Sequence, residues 1–431
     1  MRFHPGLVIT LAVWTSAELQ AQPALRSRLD GYTGGPYKVV AADFTGDRQV
    51  DVVLGYRFLG VVAVYTGDRK GSFSAPALNA FTDEDRRVYP QDESWSAPHI
   101  HNMAYGDLDR DGLPDLVLAV GGLSVKKPGR VILARNAGLG QFRHMREYSL
   151  PSQAKGVCLA DMDNDGRLDL LYTARGSGYT DDLKQGRLSV RQGLGDWKFG
   201  RAIESDAGRS AYYVETADLN NDGYPDVIIP NEHDTCATFF LNPGRTLFST
   251  PDRPLTGRIL RATPIPNQRS HAVNDVRAAD LDGDGNQDLL TANLGTSTVS
   301  VFSGNGDGTF QKDILLEAGK NGAFLETGDF DTDGDIDFVI THWTEDFASV
   351  FLNAGDGTFA DRVDYRTGSG NYGVAVADLD HDGDLDIITA NYREKSMSLL
   401  SGVGDGTFST ARTRQAGLRS YQGRWIPHNP D

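Results

Sequence analysis

The apolar residues of this chain gather into seven short, unbroken runs: VVLG from Val52, LVLA from Leu116, LLYT from Leu170, VIIP from Val227, LLTA from Leu289, FVIT from Phe338 and IITA from Ile387. Apolar and β-branched runs of this length, bounded by turn residues, read as strands. They do not alternate with polar residues, so each strand is expected to be covered on both faces. An acidic stretch precedes every run, and the residue before that stretch is Ala42, Gly106, Ala160, Ala217, Ala279, Gly328 or Ala377. A small side chain at every copy suits an innermost strand, where repeated sheets crowd about a common axis. The pattern predicts an all-β fold, a seven-bladed β-propeller with a metal-binding loop in each blade.

The acidic stretch is one loop written seven times. Counted from its first aspartate, positions 1, 3, 5 and 9 are Asp43, Thr45, Asp47 and Asp51 in the first copy and Asp107, Asp109, Asp111 and Asp115 in the second. They are Asp161, Asp163, Asp165 and Asp169 in the third, and Asp218, Asn220, Asp222 and Asp226 in the fourth. The last three copies hold Asp280, Asp282, Asp284 and Asp288; Asp329, Asp331, Asp333 and Asp337; and Asp378, Asp380, Asp382 and Asp386. Carboxylates this close repel one another unless a cation joins them, and oxygen-only ligands select a hard ion such as calcium, here up to seven. Position 6 is glycine in six copies, where the chain must reverse with φ > 0, and Arg48 in the first. An EF-hand requires a bidentate Glu at position 12. That position holds Leu54, Leu118, Tyr172, Ile229, Thr291, Ile340 or Thr389, which excludes it.

First aspartates fall 64, 54, 57, 62, 49 and 49 residues apart, about one four-stranded blade each. This organises the 431 residues as one closed domain over 22–415, with blades beginning near 37, 101, 155, 212, 273, 323 and 372, and a tail over 416–431 that faintly copies the start of a blade. The net charge of −17 comes mostly from the loops, since seven divalent ions would offset fourteen of those charges. No basic footprint for nucleic acid or an anionic membrane accompanies it.

Residues 1–21, with Arg2 before the apolar stretch Leu7 to Val13 and small residues at Ala17 and Ala21, read as a secretory signal. No later segment is apolar for long enough to cross a bilayer. A secreted monomer is expected, and millimolar calcium outside the cell would keep weak acidic loops filled. Cys158 and Cys236 fall on strands of adjacent blades and read as two buried thiols.

Residues 24–31 parallel the end of a blade and are placed as an outer strand that could complete the seventh blade. Each blade ends in a turn whose last three copies read GDGTF, with Asp and Gly fitted to a tight hairpin and Phe to a wedge between blades. If strands alternate in direction, the acidic loops and these turns share one face. The long connections 81–102, 175–186 and 251–274 then share the other. That second face collects His99, His101, His233, His271 and His342, with Trp95, Trp343, Tyr213, Tyr372 and Tyr392, and with Glu232, Asp234, Glu345 and Arg393.

Seven such loops in register resemble the FG-GAP and VCBS repeats of integrin α-subunits and many secreted bacterial proteins, over roughly 24–415. The resemblance implies calcium held between the first two strands of the blades by the positions named, with a backbone carbonyl at position 7. Thr45 and Arg48 in the first loop and Asn220 in the fourth depart from its pattern, as does the absence of strict FG and GAP signatures. It also implies a recognition platform. The expected function is thus an extracellular binding or adhesion module for a glycan or protein, with calcium structural and the binding residues His101, Tyr213, His233, His271, His342, Trp343 and Tyr392 on the opposite face. Aromatic faces beside planar polar groups suit a sugar. The alternative is a polysaccharide lyase or hydrolase using His233 with Asp234, or His342 with Glu345, as acid and base.

Overall fold

The computed structural model describes residues 35–57, 60–81, 99–121, 129–176, 185–232, 236–249, 254–261 and 272–416. The signal, the segment 24–31 and most of the tail lie outside the described residues. Seven antiparallel sheets of four strands follow one another, each built from one stretch of chain with its strands in sequence order. The inner strands are Pro36–Ala42, His99–Gly106, Ala154–Ala160, Glu215–Ala217, Ala272–Ala279, Gly322–Gly328 and Asn371–Ala377. Each packs on the next, and the seventh packs on the first, which closes a seven-bladed β-propeller.

The apolar runs form the second strand of each blade. Asp51–Tyr56, Asp115–Gly121, Asp169–Ala174, Asp226–Asn231, Asp337–His342 and Asp386–Asn391 are buried at every residue, because a neighbouring blade covers each face. The core therefore sits between blades. Val53, Val62 and Val64 of the first blade pack with Leu116, Leu118 and Ile132 of the second. Leu171, Leu188 and Val190 of the third meet Val227, Ile229 and Phe240 of the fourth. Each such side chain contributes about 1.5–3 kcal/mol by leaving water.

The turns between third and fourth strands clamp five of the blades, the second and the fourth to seventh, to the one before. Asn136, Asn242 and Asn353 donate their side-chain amides to the carbonyls of Phe44, Met162 and Leu281, the residues at loop position 2 of the preceding blade. In the GDGTF copies a glycine amide does the same: Gly308 donates to Leu219, Gly357 to Leu281 and Gly406 to Phe330. The Phe of the motif packs backwards, Phe310 on Phe239 at 5.7 Å between centroids and Phe408 on Phe330 at 5.4 Å.

Among the described residues, the seventh blade is complete with its own four strands. The fourth strand of the seventh blade is Arg412–Gln415. Arg414 of that strand donates to the carbonyls of Phe73 and Ser74 in the first blade. Tyr56 adds a hydrogen bond from its hydroxyl to the Ala416 carbonyl at 2.6 Å.

Replacing Asn353 with Ala strips the Leu281 and Ile336 carbonyls of a buried donor. A loss of about 2–4 kcal/mol is expected in chemical denaturation. A change within experimental error would show that the clamp carries no stability.

Candidate metal centres and the opposite face

Each acidic loop joins an inner strand to the second strand, and its position 9 aspartate is the first residue of that second strand. In all seven blades this aspartate pairs in register with the small residue before the loop, from Ala42 with Asp51 to Ala377 with Asp386. Its two oxygens have separate tasks. One accepts the backbone N–H at loop position 2, as Asp386 does from Leu379 at 2.8 Å, and the other accepts an N–H from the turn between strands three and four, here Gly402 at 2.9 Å. The same pair of bonds recurs at Asp51, Asp115, Asp169, Asp226, Asp288 and Asp337. Burial, opposed by these donors and aided by neighbouring carboxylates, pushes Asp115 and Asp169 up to about 7, and Asp226, Asp337 and Asp386 up to about 6.

The loop turns through two left-handed positions, not one. At position 6 the glycines run from φ +81° at Gly166 to +98° at Gly334 and Gly383, and Arg48 of the first loop takes φ +65°. Position 4 is also left-handed, at Gly46, Arg110, Asn164, Asn221, Gly283, Thr332 and His381. The first loop has thus placed its glycine at position 4 and left the side chain at position 6.

The turn gathers carboxylates. In five loops three of them offer oxygens within 4.8 Å of one another: Asp107, Asp109 and Asp115; Asp161, Asp163 and Asp169; Asp280, Asp282 and Asp288; Asp329, Asp331 and Asp333; Asp378, Asp380 and Asp386. One oxygen of Asp109, Asp163, Asp280, Asp329, Asp331, Asp378 and Asp380 is buried without a hydrogen-bond partner. Buried, unsatisfied carboxylate oxygens at positions 1 and 3 fit a hard cation that would complete them. The loops differ in what already offsets this charge. Arg135 reaches Asp109 at 2.6 Å and Asp111 at 3.0 Å in the second, and Arg167 pairs with Asp165 in the third. In the first loop Asp43 accepts backbone N–H groups from Thr45, Gly46, Asp47 and Arg48. Asn220 interrupts the fourth, where its amide donates to Asp222. The sixth and seventh loops have the least internal compensation of the seven.

Among the described residues of the opposite face, several side chains that the sequence places at the surface are enclosed. His342 ends a buried second strand, with Nε2 3.0 Å from Ser349 Oγ, and burial lowers it to about 3, so the ring is neutral and enclosed. His101 lies in the inner strand of the second blade and Tyr213 two residues before the inner strand of the fourth, and both are buried. His101 stacks on His99 at 5.4 Å with Lys155 Nζ 3.4 Å from its Nδ1. These three residues are therefore corrected from the surface to the interior, because neighbouring blades cover strand ends that look like loop edges in sequence. Trp95, His233, Asp234 and His271 lie outside the described residues. Cys158 is a free thiol, pushed up to about 12 by burial.

Trp343 and Tyr392 do reach the surface, on the turns after the second strands of blades six and seven. Trp343 is 38% exposed, and the Arg393 guanidinium lies 5.3 Å from its ring centroid. Gly370, at φ +69°, leaves room for this, since a Cβ there would meet Arg393 Cγ at 2.5 Å. Backbone bonds from Trp343 to Asn321, Gly370 to Glu345 and Tyr392 to Gly370 tie the two turns into one surface.

FG-GAP-like repeats match residues 43–118, 107–172, 280–340 and 329–389, and an FG-GAP repeat matches 370–409. The chain belongs to the FG-GAP repeat family. Each of the four longer matches of this FG-GAP chain runs from the first aspartate of one loop to position 12 of the next, so the repeat unit is bounded by acidic loops. Integrin alpha-V of Gallus gallus is 25% identical over 240 residues, which cover 49% of the FG-GAP chain and 21% of the integrin. Two solved structures share the fold. A lectin of Agrocybe aegerita is 20% identical with a TM-score of 0.51, covering 84% of this chain and 87% of its own. The periplasmic gluconolactonase PpgL of Pseudomonas aeruginosa is 13% identical with a TM-score of 0.60, covering 89% and 97%.

Two outcomes follow from the loop geometry. Asp378→Ala removes an oxygen that lacks any donor and a second that accepts the Gly383 N–H, so it is expected to lower the melting temperature more in calcium than in EDTA, and more in calcium than Thr45→Ala does; equal effects in both buffers would contradict a ligand role. In EDTA, Asp115 and Asp169 have folded values near 7, above the usual carboxylate range, so stability is gained as pH falls from about 8 to 6.5 and lost as it rises through 7. Below about 6.5 the buried neutral His99, His101 and His342 oppose this, since protonation favours the unfolded chain. Saturating calcium should abolish the rise between pH 8 and 6.5, and scanning calorimetry across both buffers measures it.

Proposed function

We propose that this FG-GAP propeller is an exported, calcium-filled, non-catalytic module that binds a glycan on the face opposite the acidic loops. The observation that carries the reading is the surface at the junction of blades six and seven. There Trp343 stands exposed beside the Arg393 guanidinium, on turns fixed to one another through their backbones. An indole face stacks on the C–H face of a sugar ring, and a guanidinium and Glu345 beside it can exchange hydrogen bonds with hydroxyls. Calcium would act by holding the blades, because the carboxylates converge on the loops and the proposed binding surface lies across the ring from them.

Among the described residues no helix is long and apolar enough to cross a membrane. The structurally similar Agrocybe lectin recognises non-reducing terminal N-acetylglucosamine, which makes that sugar a rational first member of a test panel. The enclosed His342 does not favour the acid/base pair with Glu345, because its ring nitrogen is engaged with Ser349 inside the blade.

A glycan array run in calcium with the parent chain and Trp343→Ala tests the proposal. Loss of one exposed stacking ring is expected to weaken the best glycan about tenfold, or roughly 1.4 kcal/mol, at unchanged melting temperature. Equal binding by the variant, or no glycan bound by the parent, would refute it.

A further inference from the structure

The inner strands enclose a cavity of about 290 Å³ on the propeller axis, lined by residues from all seven blades. Its two ends differ. Towards the face opposite the acidic loops it is closed by touching aromatic rings: Tyr37 stacks on Tyr372 at 4.0 Å, Tyr372 meets Phe324 at 5.4 Å, and Phe324 meets Tyr213 at 4.9 Å. Towards the acidic loops the inner strands pass from buried to partly exposed residues, and Tyr105 in the cavity wall is 43% exposed. Access is therefore from the acidic-loop face, away from Trp343.

The walls also differ. Val39, Met103, Val157, Leu159 and Val376 make one side apolar, from blades seven, one, two and three. Blades four to six supply Glu215, Asp275, Arg277 and Glu326, three carboxylates and one guanidinium. Arg277 holds Glu326 at 2.8 and 3.3 Å, Asp275 at 3.2 Å and Glu215 at 3.4 Å. Lys38, from the first blade, lies at the aromatic end with Nζ 4.1 Å from the Phe324 centroid. With all three carboxylates ionised, the two cations leave one negative charge uncompensated. Tyr213 lines the same cavity, is 3% exposed, and its hydroxyl has no hydrogen-bond partner.

We propose that this axial cavity binds a small organic cation, a protonated primary amine carrying an apolar body. An ammonium group offsets the surplus carboxylate and can donate to the unpaired Tyr213 hydroxyl, while a hydrocarbon or aryl body fills the apolar wall. Other ligand classes fit less well. A metal ion would need several carboxylate oxygens free of Arg277, and the facing wall offers only the neutral Asn102 and Tyr105. An anion would meet three carboxylates, and a pure hydrocarbon would leave the charge and the hydroxyl unpaired. Burial raises Glu215 to about 7, so an ammonium arriving beside it would favour loss of that proton and pair with the carboxylate so formed.

The site can be tested by calorimetric titration of the whole chain in saturating calcium with phenethylammonium, its neutral analogue phenethyl alcohol, and phenylacetate. Saturable binding of the ammonium is expected, with the alcohol at least about tenfold weaker and the carboxylate not bound. Glu326→Gln should weaken the ammonium at least about tenfold. Because that change also loosens Arg277, Tyr213→Phe provides a second variant that keeps the packing, expected to weaken binding severalfold at unchanged melting temperature. Equal binding of the three probes, no saturable binding of the ammonium, or ammonium affinity unchanged in both variants would each overturn the proposal. Glycan binding at Trp343 can succeed or fail independently of any of these results.

Discussion

One buried carboxylate per blade connects the parts of this fold. The aspartate at loop position 9 opens the second strand, closes the acidic loop by accepting the N–H at position 2, and holds the turn between strands three and four through its other oxygen. A charged group in that position would cost several kcal/mol if left unpaired, and two backbone donors offset the cost. Because the bond pattern repeats in all seven blades, the acidic face is a ring of loops with one shared geometry.

The clamp between blades depends on that same geometry. In five of the loops the carbonyl at position 2, whose N–H is held by the aspartate, accepts an Asn side chain or a glycine amide from the following blade. Loop, turn and neighbour are thereby coupled, and a cation in the loop would reinforce the blade junction as well as its own blade. The unpaired oxygens at positions 1 and 3 mark where the coupling is incomplete without one. Arg135 and the backbone donors on Asp43 supply local substitutes in the second and first loops.

The axis and the rim are organised by different rules. Along the inner strands, residues facing the axis escape the close packing between blades, so charge and aromatic rings can be placed there: Glu215, Arg277 and Glu326 occupy the same position, three residues before their loops. Charged residues in otherwise apolar inner strands were the available signal for this cluster. Its ion pairs were not readable, because they join blade five to blades four and six across 62 and 49 residues of chain. At the rim, a histidine next to a turn can be enclosed, as His342 is, or a tryptophan one residue later exposed, as Trp343 is.

The sequence alone determined the repeat, the strand that follows each loop and the number of blades, because a period of local chemistry is written in neighbouring residues and needs no distant partner. It also marked position 6 as left-handed, through its glycines. Only the tertiary structure decided that position 4 is left-handed too, since Arg110, Asn164, Thr332 and His381 hold that conformation without glycine. It also decided that the fourth strand of the seventh blade comes from Arg412–Gln415, and that His101, Tyr213 and His342 turn inwards. Burial and partner choice depend on which blade lies against which, and that contact exists only once the ring has closed.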